Sequence, residues 1–176
     1  DPVSGEPTAY RPPVYPLFLA AIEYWNGAEW GIGLAQALLG VATVWLTIDV
    51  GRRLGMPQGG LIAGLVVAID PLHLYQTAQV MTETMAAFLG ILCWNLSLRR
   101  RVWWSSLLLG LVFGLACLCR PTFWVFGFLG GCGWLVNRIR TFRTLGWQGG
   151  AEIQSAVVTL AGMLVVVAPW VNRNYQ

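Results

Sequence analysis

The chain of 176 residues is 56% hydrophobic and 11% charged, where an ordinary soluble domain carries roughly 25% charged residues. A mean hydropathy of +0.60, with 10 Trp and 21 Gly, excludes both a water-soluble globule and a disordered chain, which needs low hydrophobicity and high net charge. All 11 basic residues are Arg, so there is no lysine for a Walker A loop, a Schiff base or a pyridoxal site. A net charge of +3 on scattered arginines is too small for a nucleic-acid groove. The composition is that of an integral membrane protein.

From the N-terminus, Pro2, Pro7, Pro12, Pro13 and Pro16 precede an apolar segment, 17–25. Proline fixes the backbone and bars a helix through Tyr10 to Pro16. From there Leu17, Phe18, Ala21, Ile22 and Trp25 recur at helical spacing, with Glu23 and Asn26 off that face. Residues 1–29 are therefore expected to form an outer loop and a short interfacial helix. Residues 30–176 are expected to be a transmembrane helical region. Its uncharged stretches are 30–48, 54–69, 84–98, 102–119, 121–137 and 153–172, against the roughly 17 to 25 apolar residues that a spanning helix needs. The second stretch extends past Asp70 and Pro71 toward Tyr75. The fold class is all-α, a polytopic bundle of about six spans plus the interfacial helix.

Arginine placement predicts the orientation, because short cytoplasmic loops collect basic residues. Arg52 and Arg53 follow the first span, 99–101 the third, and Arg138, Arg140 and Arg143 the fifth. That side is assigned as cytoplasmic, which leaves both termini outside. The pairs Gly60 with Gly64 and Gly110 with Gly114 have the four-residue spacing of close helix packing. Cys93, Cys117, Cys119 and Cys132 lie in apolar runs, where a thiol behaves as a small hydrophobe.

Charges on the outer side need a reason, because an ionisable group at membrane depth costs several kcal/mol. Arg11, Arg120 and Arg173 break the inside rule, each close to proline, and Asp70, His73 and Glu83 share their face. Each also has a plain structural alternative. A terminal arginine can snorkel to lipid headgroups, a glutamate in a first turn can complement the helix dipole, Asp70 can stop a helix, and His73 can be a hydrogen-bonded interfacial residue. Taken together, outer arginines around a membrane-level carboxylate suit a phosphate with an apolar tail, since the guanidinium fork binds phosphate oxygens through paired charge-assisted hydrogen bonds. The carboxylate can take a proton or hold a divalent metal ion.

The strings that carry these residues resemble a known family. Thr8-Ala9-Tyr10-Arg11-Pro12-Pro13-Val14-Tyr15-Pro16-Leu17 is similar to the signature that closes the first outer loop of GT-C polyprenyl-phosphate-sugar glycosyltransferases, the protein mannosyltransferase-like and aminoarabinose transferase-like bacterial enzymes. Met81-Thr82-Glu83-Thr84 resembles their second acidic motif, Arg120-Pro121-Thr122 their arginine-proline helix end, and Pro169-Trp170 with Arg173-Asn174-Tyr175 a later outer motif. The resemblance implies transfer of a sugar from a polyprenyl-phosphate donor to a lipid, glycan or protein acceptor on the outer face of the bacterial inner membrane, usually with inversion. It implies Glu83 as a catalytic residue or metal ligand. Tyr10, Arg11, Tyr15, Thr82, Arg120 and Arg173 are the implied substrate-binding residues, with His73 and Asp70 beside them. It also places the general base at an aspartate just after a first span. Neither is found in the sequence, so the chain is expected to be a fragment that is inactive alone. The competing reading is part of a transporter or flippase for a lipid-linked or anionic substrate. That reading predicts internal repeats and charges at the bilayer midplane, neither of which the sequence displays.

Overall fold

A backbone in hydrocarbon must satisfy its own polar groups, and a long uncharged run can do so alone only as a helix. The computed structural model describes residues 12–26, 29–99, 102–145 and 150–174. Among these it contains eight helices: α1 Val14–Asn26, α2 Glu29–Arg53, α3 Pro57–Ile69, α4 Pro71–Ala78, α5 Thr82–Ser97, α6 Trp103–Cys119, α7 Thr122–Leu145 and α8 Gly150–Asn174. The described chain is an all-α bundle. Many of its large apolar side chains lie on the perimeter, among them Leu38, Trp45, Leu65 and Val165, which is the surface of an integral membrane protein.

By length and composition, the segments Trp30–Arg53 and Gly150–Asn174 suit a membrane span, and α3 with α4 makes a third, broken by a 53° bend. The bend falls where the sequence predicts a continuation past Asp70: Asp70 is extended and its side chain accepts a hydrogen bond from the Leu72 N–H at 3.1 Å. The segments Trp103–Cys119 and Thr122–Val136 are shorter apolar helices. Two helices outrun their predicted spans. α2 continues through Asp49 to Arg53, which form an i,i+4 ion pair at 2.7 Å, and α7 continues through Arg138 and Arg143. Helix α2 ends at Gly55, whose φ of 77° is the left-handed conformation that glycine adopts without strain.

The N-terminal helix departs from expectation at its start. It begins at Val14 and includes Pro16, which is tolerated because the first turn has no intrahelical use for that N–H. The side that packs on the bundle is centred on Tyr15. Tyr15 is buried with Phe18, Leu19 and Ile22 partly covered, while Leu17 is 66% exposed and Ala21 is exposed as well. The hydroxyl of Tyr15 accepts a hydrogen bond from Gln36 Nε2 of α2 at 2.7 Å, and this anchor sets the rotation of the helix.

Glycines bring the remaining helices together. On α6, a Cβ at Gly110 would collide with the Thr159 carbonyl of α8, and one at Gly114 would lie 3.1 Å from the Met163 carbonyl. A Cβ at Gly162 of α8 would in return lie 2.8 Å from the Leu107 carbonyl. Ser106 and Ser155 share a hydrogen bond of 2.6 Å across the same seam. Gly51 and Gly60 do likewise for α2 and α3, and Gly64 receives Ile48. These are the small-residue seams expected of helices whose association relies on close packing in lipid. A side chain added at Gly110 has only backbone to displace, so Gly110→Ala should destabilise the protein by about 1–3 kcal/mol. Gly133→Ala, which meets nothing within 4 Å, should leave it unchanged. Thermal unfolding of both variants in the same detergent checks this.

Candidate functional site

Two helix ends form the site. Met81 is extended ahead of α5, which places Thr82 and Glu83 in that helix's first turn. At the other end of the neighbouring helix, Arg120 is extended after Cys119. Pro121 enforces this, because the residue before proline is pushed out of the helical region. Helices α5 and α6 pack side by side through Ala86, Leu89 and Leu96 against Val112, Ala116 and Cys119. Running in opposite directions, they bring the start of one to the end of the other. Glu83 Oε1 consequently lies 3.1 Å from Arg120 Nη2. The Thr82 hydroxyl donates a long hydrogen bond of 3.5 Å to the other carboxylate oxygen.

The Glu83 side chain is 26% and the Arg120 side chain 41% exposed. An ion pair in such a setting contributes about 1 kcal/mol or less to stability, so holding the fold together does not account for it. Its geometry does constrain the guanidinium. Glu83 engages one terminal nitrogen, and among the described residues the fork's further N–H donors face no second carboxylate.

From this pair an apolar cavity of about 590 Å³ runs down between α5, α6 and α7, lined by Ala87, Gly90, Cys93, Phe113, Phe123 and Phe126. A charged mouth leads into a greasy groove. Beside it, Tyr15 is buried. Burial pushes its phenol above the usual range, the hydrogen bond from Gln36 works against that rise, and the nearby Glu83 carboxylate adds to it. Tyr15 thus belongs to the same electrostatic neighbourhood and stands as a neutral hydroxyl.

The other expected residues take different places. Asp70 caps α4, which is the helix-stop alternative. The His73 Nε2 atom is buried and has no hydrogen-bond partner among the described residues; it faces Gly40 of α2, near Thr77. Arg173 lies over the Trp170 ring, 5.6 Å from its centroid, in the last turn of α8. Tyr10 and Arg11 lie outside the described residues. Among the described residues no group of three His, Cys, Asp or Glu side chains is arranged to hold a metal. Glu83 faces a guanidinium instead, whose charge opposes a cation at the same oxygen.

Sequence reasoning missed Gln36 and Thr84. Both are buried, and Gln36 Oε1 and Thr84 Oγ1 have no partner among the described residues. The available signal for Gln36 was that it is the sole amide in the stretch 30–48. If the Tyr15–Gln36 bond is what seats α1, Tyr15→Phe should cost about 1–3 kcal/mol, the penalty for a buried amide left unpaired. The double variant Tyr15→Phe with Gln36→Leu should recover most of that loss. A double-mutant cycle on unfolding free energies measures the coupling.

The model of the dolichyl-phosphate-mannose-protein mannosyltransferase family matches residues 10–172, which is nearly the whole chain. Neither a curated protein nor a solved structure gives a significant match. The chain belongs to that mannosyltransferase family and is a membrane glycosyltransferase of GT-C type.

Proposed function

We propose that this mannosyltransferase-family chain serves transfer of a sugar from a polyprenyl-phosphate carrier to an acceptor at the extracytoplasmic face of the membrane. The observation that carries this reading is the Glu83–Arg120 pair at the mouth of an apolar groove. A ligand that fits both parts has an anionic head and a long apolar tail, which describes a lipid-linked phosphate and neither a free nucleotide sugar nor a neutral lipid.

In the proposed reaction the bond from the anomeric carbon to the phosphate oxygen breaks as the acceptor oxygen bonds to that carbon from the opposite side. The acceptor's proton passes to a base, and the carrier leaves as polyprenyl phosphate. Charge therefore develops on the phosphate oxygens. A guanidinium held in place before the reaction stabilises it without reorganising, which is the largest effect available to such a site. Arg120 is assigned that role, and Glu83 positions it through the contact at Nη2. The resemblance supplies a base from an acidic outer loop and Arg11 and Tyr10 as further contacts. Asp70, His73 and Arg173 are retained as candidate contributors to the same face. Residues 1–29 and the Glu83 ends of the helices are assigned to the outer side, and the arginine-rich ends to the cytoplasmic side.

Binding of undecaprenyl phosphate to the intact protein in nanodiscs tests the assignment. Arg120→Ala should weaken it by roughly 1.5–3 kcal/mol, the worth of a hydrogen bond to a charged group. Arg120→Lys should recover part of the loss, since charge remains but the fork does not. Wild-type affinity in Arg120→Ala would reduce Arg120 to an interfacial anchor. For the orientation, single cysteines at Thr122 and Ser97 in a Cys-free background should behave oppositely toward an impermeant thiol reagent. The first should label in intact cells and the second only after permeabilisation; the reverse pattern inverts the topology.

A further inference from the structure

Gln76 of α4 lines the same cavity as Glu83 and Arg120. The short helix that carries it has three partly buried residues, His73, Gln76 and Thr77, and all three are polar, whereas Leu72, Leu74 and Tyr75 are exposed. Two of the three are accounted for within the fold. A Cβ at Gly40 of α2 would lie 3.6 Å from the Thr77 side chain and 3.8 Å from His73 Nε2, so both turn toward α2, and the Thr77 hydroxyl donates to the His73 carbonyl at 2.8 Å. Gln76 turns to the cavity instead, and its amide makes no hydrogen bond among the described residues. We propose that Gln76 reads the donor sugar: its amide hydrogen-bonds hydroxyl groups of the sugar while Arg120 holds the phosphate.

The placement follows from the broken span. The 53° bend after Ile69 redirects α4, and the extended residues Gln79 and Met81 return the chain into α5. The last turn of α4 and the first turn of α5 therefore meet at the mouth, with Gln76 on one and Glu83 on the other. The chemistry of the three side chains then divides. A guanidinium only donates hydrogen bonds, and an ionised carboxylate only accepts them, whereas an amide does both, as a sugar hydroxyl does. The sugar of the carrier is joined directly to the phosphate, so a side chain that shares the opening with Arg120 faces its hydroxyls. A neutral amide adds no pull on the phosphate, and what it contributes is selection. A site that hydrogen-bonds a substrate hydroxyl disfavours a ligand lacking that group, because its own polar atoms are then left unpaired.

This inference rests on the polyprenyl-phosphate reading, and the test separates the two. Affinities of the intact protein in nanodiscs are measured for undecaprenyl phosphate, which has no sugar, and for its mannosyl and glucosyl phosphodiesters. Gln76→Met keeps the length of the side chain and removes the amide. It should weaken the better bound of the two phosphodiesters by about tenfold, equivalent to 1.4 kcal/mol, and leave undecaprenyl phosphate at wild-type affinity. Thr77→Val, on the same helix but turned to α2, is the control and should alter neither. An unchanged affinity for the sugar-bearing carrier in Gln76→Met overturns the inference and leaves the carrier reading in place. So does an equal loss for carriers with and without sugar, which is what a displaced α4 or a phosphate contact would produce, and so does a loss in the control that matches that of Gln76→Met. Failure of wild type to bind any of the three lipids removes the carrier reading and this inference with it.

Discussion

The structure depends on one electrostatic constraint: a charge is tolerated at the ends of these helices and almost nowhere along them. Isolated ions in hydrocarbon are too costly unless paired or drawn to an interface. The described charges therefore sort to the two ends of the bundle, and each end solves its own pairing problem. At one end, Asp49 accepts hydrogen bonds of 2.7 Å from both Arg53 and the buried amide of Asn95, while Arg99 reaches the Asn95 carbonyl oxygen at 3.4 Å. This network ties α2 to α5. At the other end, α5 and α6 present one carboxylate and one guanidinium to each other. The first network encloses a fully buried side chain and reads as a clamp. The second is half-open and sits over a cavity, so its charges remain available.

Much of this was legible because the relevant signals are local. Pro121 stops α6 and leaves Arg120 at its end; Gly60, Gly64, Gly110 and Gly114 mark the seams; Asp70 with Pro71 marks the broken span. Each follows from backbone rules that act within a few residues. What was hidden required knowing which helix lies beside which. Which side of α1 packs on the bundle was not legible in its apolar spacing, because Leu17 and Ala21 are as apolar as the residues that pack there. The choice falls to a hydrogen bond between Tyr15 and Gln36, 21 positions apart. Asn95 likewise stands in an apolar run, yet its partner Asp49 lies 46 positions away. A polar residue in an apolar run announces that it has a partner without naming it.

Similar charges at the same face thus separate by what surrounds them. Asp70 is satisfied by a backbone N–H of its own helix, and Arg173 has an aromatic ring of its own turn; both have local explanations. Among the described residues, Glu83 has only a long hydrogen bond of 3.5 Å from Thr82 as a local side-chain contact, and Arg120 is paired across to Glu83. Each is met by a residue from another helix, across an ion pair too exposed to add much stability. The contrast concentrates the proposed chemistry on this pair, and it does so on geometry, independently of the family.

The pairing also suits the order of events in group transfer. A lone arginine under a lipid surface would be surrounded by headgroup phosphates that compete with the carrier, and a long flexible side chain loses rotamer freedom each time it binds. On the proposed reading Glu83 reduces the second problem, because its carboxylate holds the guanidinium in one orientation beforehand. On the proposed reading, a carrier lying along the groove presents its phosphate to the further donors of Arg120 from the groove side. In the proposed reaction the same carboxylate opposes prolonged retention of the more highly charged phosphate left after transfer, which a purely basic site would not.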